Sequence, residues 1–473
     1  MSLVRWIQGG VTASSLRGLV VARGLSEDPR VGVFQGTTEL AKPSVTRVPG
    51  PGAVRDGLDR RGVRVYLVTT AGLSAGTTHR VVVAGGSQPV AATVTTLPTT
   101  LPPEGLSVGV ATCYYDGYKR DGALRDSLLT PQRDHLVPNF HIWAGDNLYL
   151  DVPGDSVKDL PFEHTLDRYL RYFLDSGYAQ TRAVAPTFST YDDHEYWNNY
   201  PCSTLWLSRS WDRAYENYQK ACIECMDLFQ GSLNPPNAAG TRGYFSFAIE
   251  PLNFFFLDIR TYRTRQDRSR LVAEGAQQAL SDWIDGLSGP GVLVLGQPLW
   301  SATGDKLRDF NLPAFERDYA AIWKHLRRAP YDMLVISGDV HHSRVLRIGF
   351  QGAPNRTVFE FVTSPACHIP NLLGSVGVGN SQARGSLDEV PSSVEHAGQQ
   401  LSARAFFGTD SPHCWGLLRF TRVGYDQVRV GASLIEHYPQ NRFAPAQPIK
   451  TLPRAARQYS ECHEPSLCVL RQR

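Results

Sequence analysis

The chain has 473 residues, too many for one hydrophobic core, so two domains or one large domain with an appendage are expected. A formal net charge of +3, from 48 Lys and Arg against 45 Asp and Glu, leaves no footprint for nucleic acid or an anionic membrane surface. No apolar run approaches the roughly 20 residues of a membrane-spanning helix, and eight cysteines in this length do not make a disulfide scaffold.

Up to residue 103 the chain reads as all-β. VRVYLVTT (63–70), HRVVVAG (79–85) and AATVTTLP (91–98) are rich in Val and Thr, alternate in places and are broken by Gly and Ser turns. The opening MSLVRWIQGGVTASS has no basic segment followed by an apolar one and no twin-arginine pair, so the chain as written reads as cytoplasmic, although a mature exported form would look the same and the compartment stays open. TTLPPEG (99–105) is a Pro-rich linker, which sets the expected domains at 1–103 and 104–473. Nothing before it looks catalytic, and this part is read as a cap or spacer.

Beyond the linker, strand-like runs alternate with helical patterns. SVGVATC (107–113) and HIWAG (141–145) are followed by a helical stretch from Leu160 to about Ala183, and residues 205–230 also read as helical. GYFSFAIEPLNFFFLD (243–258) reads as a hairpin whose second strand is apolar enough to be buried on both faces. A helix around Leu271–Leu287, the strand VLVLGQP (292–298), a helix around Phe315–Arg327 and the strand DMLVISGD (332–339) follow. This grammar argues for an α/β fold of layered type, with ligands gathered at the carboxyl ends of strands. After His341 the chain turns β-like again, and Gly374–Ala405, rich in Gly, Ser and Gln, reads as a surface loop. Cys222 and Cys225 form a lone CxxC in a helical segment, better read as a buried helix face than as zinc ligands; Cys462 and Cys468 could pair in an oxidising compartment.

Four stretches share one form, an apolar strand that releases polar groups: SVGVATCYYDG, HIWAGDNLYLD, PTFSTYDDHEYWNNY and DMLVISGDVHHS. The third packs Asp192, Asp193, His194 and Glu195 together, and buried charges of this density require a partner or a metal. Asp146, preceded by a glycine that leaves room, can bridge two cations, and Tyr149 can fold back to the same metal. Asp339 and His341 can present an oxygen and an imidazole to neighbouring cations. His194 suits a general acid or a phosphate-binding imidazole, with Glu195 orienting its ring. Cys113 reads either as a small buried cysteine or as a thiolate ligand. Arg260, Arg263, Arg265, Arg268 and Arg270 cluster, and could meet a phosphate or form a solvated loop. GxGxxG after a strand, GxxxxGK[ST] and GxSxG are all absent, so nucleotide cradles and the hydrolase elbow find no support.

VATC, GDNLY, YDDHEYWNN, FFFLDIRTYR and ISGDVHHS resemble the PhoD-like alkaline phosphatases, a branch of the metallophosphoesterase (calcineurin-like) superfamily, over nearly the whole chain. The resemblance implies a metallophosphoesterase β-sandwich core flanked by helices, with an N-terminal immunoglobulin- or fibronectin-like domain. It implies metal ligation by Cys113, Asp146, Tyr149, Asp193, Asp339 and His341, with Cys113 and Tyr149 on an iron and Asp146 bridging to a calcium. Zinc, manganese or another divalent cation is the alternative. His194 would meet the phosphate or protonate the leaving group, Arg260 would reach a phosphate oxygen supported by Asp258, and Gln297 would stand where the superfamily has a metal-binding His. The implied activity is metal-dependent hydrolysis of small phosphate esters, mono- or diesters, without a specific nucleic-acid partner. A phospholipase- or nuclease-type phosphodiesterase on the same core is a second reading, and a non-catalytic protein with a structural metal site a third. The family's usual export signal is missing from the chain, and so is the superfamily's opening Asp-x-His motif.

Overall fold

The computed structural model describes residues 2–40, 42–116, 124–125, 138–151, 161–202, 214–237, 242–265, 267–301, 311–341, 343–367, 393–396, 399–409, 413–436 and 468–470. At the N-terminus lie β1 (Leu3–Val11), β2 (Ser15–Arg23), β3 (Arg30–Gln35), β4 (Thr38–Glu39), β5 (Ser44–Val48), β6 (Val63–Ala71), β7 (Thr78–Ala84) and β8 (Val90–Thr95). They form two antiparallel four-stranded sheets, in the orders β1-β2-β6-β5 and β4-β3-β7-β8. One helix, Ala53–Arg60, interrupts a stretch expected to be wholly β. Val54 and Leu58, four residues apart, bury one face of it, a spacing that reads as helix only once there is a surface to bury against. This part is packed rather than tethered. Gln8 N donates to the Arg182 carbonyl (3.1 Å), Thr187 Oγ1 to the Gln8 carbonyl (2.5 Å), and Arg5 Nε to the Leu174 carbonyl (3.0 Å).

The rest of the described chain is a sheet-rich α/β fold. A six-stranded sheet runs in the order β11-β10-β9-β20-β21-β22, with β9 Leu106–Ala111, β10 Phe140–Ala144, β11 Thr187–Thr190, β20 Cys414–Arg422, β21 Val428–Glu436 and β22 Cys468–Leu470. An eight-stranded sheet runs β12-β13-β14-β15-β17-β16-β19-β18. Its strands are β12 Tyr244–Ile249, β13 Leu252–Leu257, β14 Gly291–Val294, β15 Met333–Ser337, β16 Ser343–Phe350, β17 Ala353–Val362, β18 Ser393–His396 and β19 Gln399–Thr409. Val108, Val110, Ile142 and Ala144 of the first sheet share one buried cluster with Phe254, Phe256, Val292, Val294, Leu334 and Ile336 of the second. Because side chains alternate along a strand, Leu293 and Val335 face the other way, onto the helices Ala276–Asp285 and Glu316–Arg328. Trp143 likewise joins a cluster containing Leu166 and Cys222, on the helices Pro161–Leu170 and Ala214–Phe229. Cys222 and Cys225 are both buried in the latter, as a helix face.

The expected elements from β9 onward occur in the expected order, including the β12–β13 hairpin. Within Gly374–Ala405 the outcome is different, because Ser393–His396 and Gln399 onward pair as strands at the edge of the larger sheet. The rest of that expected loop, and the pairing of Cys462 with Cys468, lie outside the described residues.

His141, on β10, is buried against Gly109, and its Nε2 has no hydrogen-bond partner among the described residues. Burial, then the charge of Arg182, pushes its imidazole down to about 3. The unfolded chain takes up a proton below pH 6.5 that the native state refuses until about pH 3, so stability is full above pH 6.5 and declines as pH falls towards 3. At pH 5 the loss attributable to His141 is expected to be about 2 kcal/mol. Urea unfolding of the parent and of His141→Gln at pH 7.5 and pH 5 checks this; equal losses in both proteins would remove His141 as the cause.

Candidate active site

Strands β9, β10 and β11 are parallel to one another, as are β13, β14, β15 and β17, and the segments leaving their carboxyl ends meet in one place. Close approach depends on residues without side chains. A Cβ on Gly145 would stand 2.8 Å from Asp192 Cβ, and one on Gly296 would stand 2.2 Å from the Tyr191 carbonyl oxygen. The backbone is correspondingly tight. Among the described residues six non-glycine residues have positive φ, and four of them are Cys113 (53°), Asp146 (50°), Asp339 (68°) and His341 (51°). Such conformations are held only where surrounding contacts over-determine them, and they concentrate at functional sites.

Asp146 is the common member of three groups whose potential ligand atoms lie within 4.8 Å of one another. They are Cys113, Asp146 and His341; Asp146, Asp193 and His194; and Asp146, Asp192, Asp193 and Asp339. Cys113 Sγ is 3.4 Å from Asp146 Oδ2, and Ser364 Oγ lies 3.1 Å from the sulfur. Tyr149 Oη is 3.2 Å from His341 Nε2. Burial pushes the Cys113 thiol up to about 12 and raises the Asp146 carboxyl, with the neighbouring Cys113 and aspartates adding to the effect on Asp146. Many acidic groups sharing buried space want added positive charge.

Asp192, not among the expected ligands, belongs to this set and is fully buried. Arg260 explains how it is held. Its Nε is 3.0 Å from Asp192 Oδ1 and its guanidinium 3.2 Å from Asp193 Oδ1. Neither of those two oxygens makes a directional hydrogen bond, so each keeps a lone pair for a cation. Burial opposes ionisation of Asp193, but Arg260 and His194 outweigh it and hold the carboxyl below the ordinary range. Arg260 is therefore committed to two carboxylates, where the resemblance had turned it towards a phosphate oxygen. Asp258 Oδ1 accepts from the backbone N–H of Arg260 (2.9 Å) and Thr261 (3.0 Å), and so holds that turn.

Glu195 does not orient His194, as had been expected. Its carboxylate accepts backbone N–H bonds from Asn147 (2.6 Å), Asp192 (2.9 Å) and Asp146 (3.2 Å), clamping the turn after β10 to the turn after β11. The His194 ring is instead held by Asp151, whose Oδ1 lies 2.7 Å from Nδ1. Burial alone would lower the imidazole, but the charges of Asp151 and Asp193 override it and raise it to about 9. The ring packs on Tyr149 with centroids 4.2 Å apart. Asp151 was visible in GDNLYLD, and what hid its role was the fold-back that brings it to the YDDHE turn.

Gln297, at the end of β14, donates from Nε2 to Asp339 Oδ2 (2.9 Å) and accepts from Arg263 (2.5 Å), so it stands at the site as a holder of Asp339. The arginine cluster does not form one face: Arg260 and Arg263 are buried, while Arg270 donates to the Tyr262 carbonyl. The set as a whole offers a thiol, a phenol, carboxylates and an imidazole, a donor mixture that suits two adjacent cations of differing hardness.

Residues 131–290 match the model of the PhoD-like phosphatase family. That window contains Asp146, Tyr149, Asp193, His194 and Arg260, and leaves out Cys113, Asp339 and His341. Among solved structures the chain is similar to one described as the structure of PhoD, with 15% identity and a TM-score of 0.60 over 95% of this chain and 93% of that one. It is also similar to the purple acid phosphatase PPD1 isolated from yellow lupin (Lupinus luteus) seeds, with 11% identity and a TM-score of 0.54 over 91% of this chain and 71% of that one. Identities this low show a shared fold. No curated protein matches the chain.

Proposed function

We propose that this chain, a PhoD-like phosphoric ester hydrolase, cleaves small phosphomonoesters and phosphodiesters at the carboxyl ends of its two mixed sheets. The observation that carries the reading is the place of Asp146 in all three ligand groups, which is what a carboxylate bridging two cations requires. Iron beside Cys113 and Tyr149, and calcium among Asp146, Asp192, Asp193 and Asp339, fit the softness of the donors on each side. The chemistry that bound cations would supply there is charge neutralisation and a lowered pKa for water.

The protein's own residues do the rest. Arg260 and Gln297 fix the carboxylates, and Glu195 fixes the two turns that carry them. His194, oriented by Asp151, is placed to hold a proton for the departing alkoxide. Neighbouring cations would draw its raised pKa back towards neutrality, where such a donor works best. With most positive charge supplied by metals, no large basic patch is needed, in keeping with the net charge of +3. The fold belonging to this reading is a metallophosphoesterase β-sandwich over 104–473 with an immunoglobulin- or fibronectin-like domain over 1–103. The two antiparallel sheets between Leu3 and Thr95 support the second part.

Elemental analysis, with assays on p-nitrophenyl phosphate and bis-p-nitrophenyl phosphate before and after chelation, tests the proposal. Iron and calcium are expected, with hydrolysis lost on chelation and restored by adding the metals back. A metal-free protein that stays inactive after add-back would overturn it.

A further inference from the structure

β11 and β12 are end strands of the six- and eight-stranded sheets, and residues 231–237 run from one to the other. Asn234 stands in for a strand partner of Ser189 on β11: its Nδ2 donates to that carbonyl (2.8 Å) and its Oδ1 accepts from that N–H (2.9 Å). Asn237 Nδ2 donates to the Tyr244 carbonyl on β12 (2.9 Å). Between this bridge, the two strands and Arg17 of β2 lies a cavity of about 310 Å³, the size of a small-molecule site. Tyr191, Tyr244, Phe245, Phe256 and Tyr262 help to line it, and no candidate metal ligand does.

Four charged residues line the cavity, and three of them are already engaged. Arg242 pairs with Asp227, and Asp258 accepts from the N–H groups of Arg260 and Thr261. Arg17 is half-buried and meets only neutral partners. Its Nη1 donates to the Ser232 carbonyl (2.7 Å) and lies 3.5 Å from the Asn234 carbonyl oxygen. Both carbonyls belong to lining residues, which puts the guanidinium in the cavity wall. Its Nε and Nη2 have no partner among the described residues, and neither is sealed from solvent. Those two N–H groups form one edge of the planar fork, an edge that grips a carboxylate through two parallel bonds. Burial lowers the guanidinium, and no acid raises it back. A cation so placed is costly until an anion meets it.

We propose that this cavity binds a small aromatic carboxylate, with its two oxygens on Nε and Nη2 of Arg17 and its ring among the aromatic residues. One negative charge is what the lining can answer, because Arg242 is held by Asp227. Tyr191 adjoins Asp192 in the chain and Asp258 holds the Arg260 turn, so the ligand lies behind the candidate active site and not in it. The inference does not depend on the phosphoester reading.

Isothermal titration calorimetry with 2-naphthoate and with the uncharged 2-naphthol tests it, on the parent as purified, Arg17→Gln and Arg17→Lys, with thermal unfolding recorded for each. The parent is expected to bind 2-naphthoate with a Kd of roughly 0.1 mM, and 2-naphthol roughly tenfold more weakly. Arg17→Gln keeps an amide donor for the Ser232 carbonyl and should bind 2-naphthoate roughly tenfold more weakly than the parent. Arg17→Lys keeps the charge but not the fork, and should lie between them. No binding by the parent, or equal affinity for the two probes, would overturn the proposal without recourse to a variant. Unchanged affinity for 2-naphthoate in either variant would place the carboxylate elsewhere, on a bound metal for instance, and would overturn it too. Should Arg17→Gln fail to fold, Arg17→Lys still decides the matter.

Discussion

Asp146→Ala is expected to lower kcat/KM for p-nitrophenyl phosphate by roughly four orders of magnitude, the largest effect of any single change, and to reduce bound metal at both positions together. The reason lies in the sharing. Each of the other grouped residues belongs to one or two of the three donor groups, whereas Asp146 belongs to all of them. Its removal also frees buried partners: Cys113 Sγ loses its neighbour at 3.4 Å, and His194 N loses the carboxylate that accepts from it at 3.2 Å. Asp146→Asn is the informative companion, since it keeps the shape and one oxygen while removing the charge that bridging needs. Elemental analysis beside kinetics reads the outcome. A protein that keeps both metals in the Asp146→Ala form would show that Asp146 does not bridge them.

His194→Ala should act differently, lowering kcat by about 10²- to 10⁴-fold while leaving bound metal nearly unchanged. The His194 ring makes its hydrogen-bonded pair with Asp151, while its charge also acts on Asp193 and its backbone N–H holds Asp146. Alanine retains that N–H, so the metal cluster should survive. Asp151→Asn should produce a smaller loss in the same direction and shift the alkaline limb of the pH–rate profile to lower pH, because Asp151 is the strongest of the influences that raise the His194 imidazole and the proton donor is active only while protonated. Full turnover in His194→Ala would remove it from the chemistry. Loss of metal in that variant would reassign it to ligation.

These two substitutions also mark where reading the sequence stops. The strand-then-ligand form of VATC, GDNLY, YDDHE and ISGDVH needed no structure, because an apolar run that ends in Asp, His or Cys has few folded solutions and each segment announces itself locally. The α/β order of elements from residue 106 onward was legible for the same reason. What the segments do to one another was not. Glu195 sits next to His194 in sequence yet turns to three backbone N–H groups, while Asp151, forty-three positions away, takes the ring. Asp192 and Arg260 find each other across sixty-eight positions. The helix Ala53–Arg60 and the strand pairing of Ser393–His396 depend likewise on surfaces that exist only after folding. The sequence alone determined which residue types collect at strand ends, and therefore the class of chemistry, because side-chain identity and periodicity are local properties. Only the tertiary structure decided which carboxylate is shared by all three donor groups, which one clamps backbone and which one orients the imidazole, because burial and partner geometry are set by packing between segments far apart in the chain.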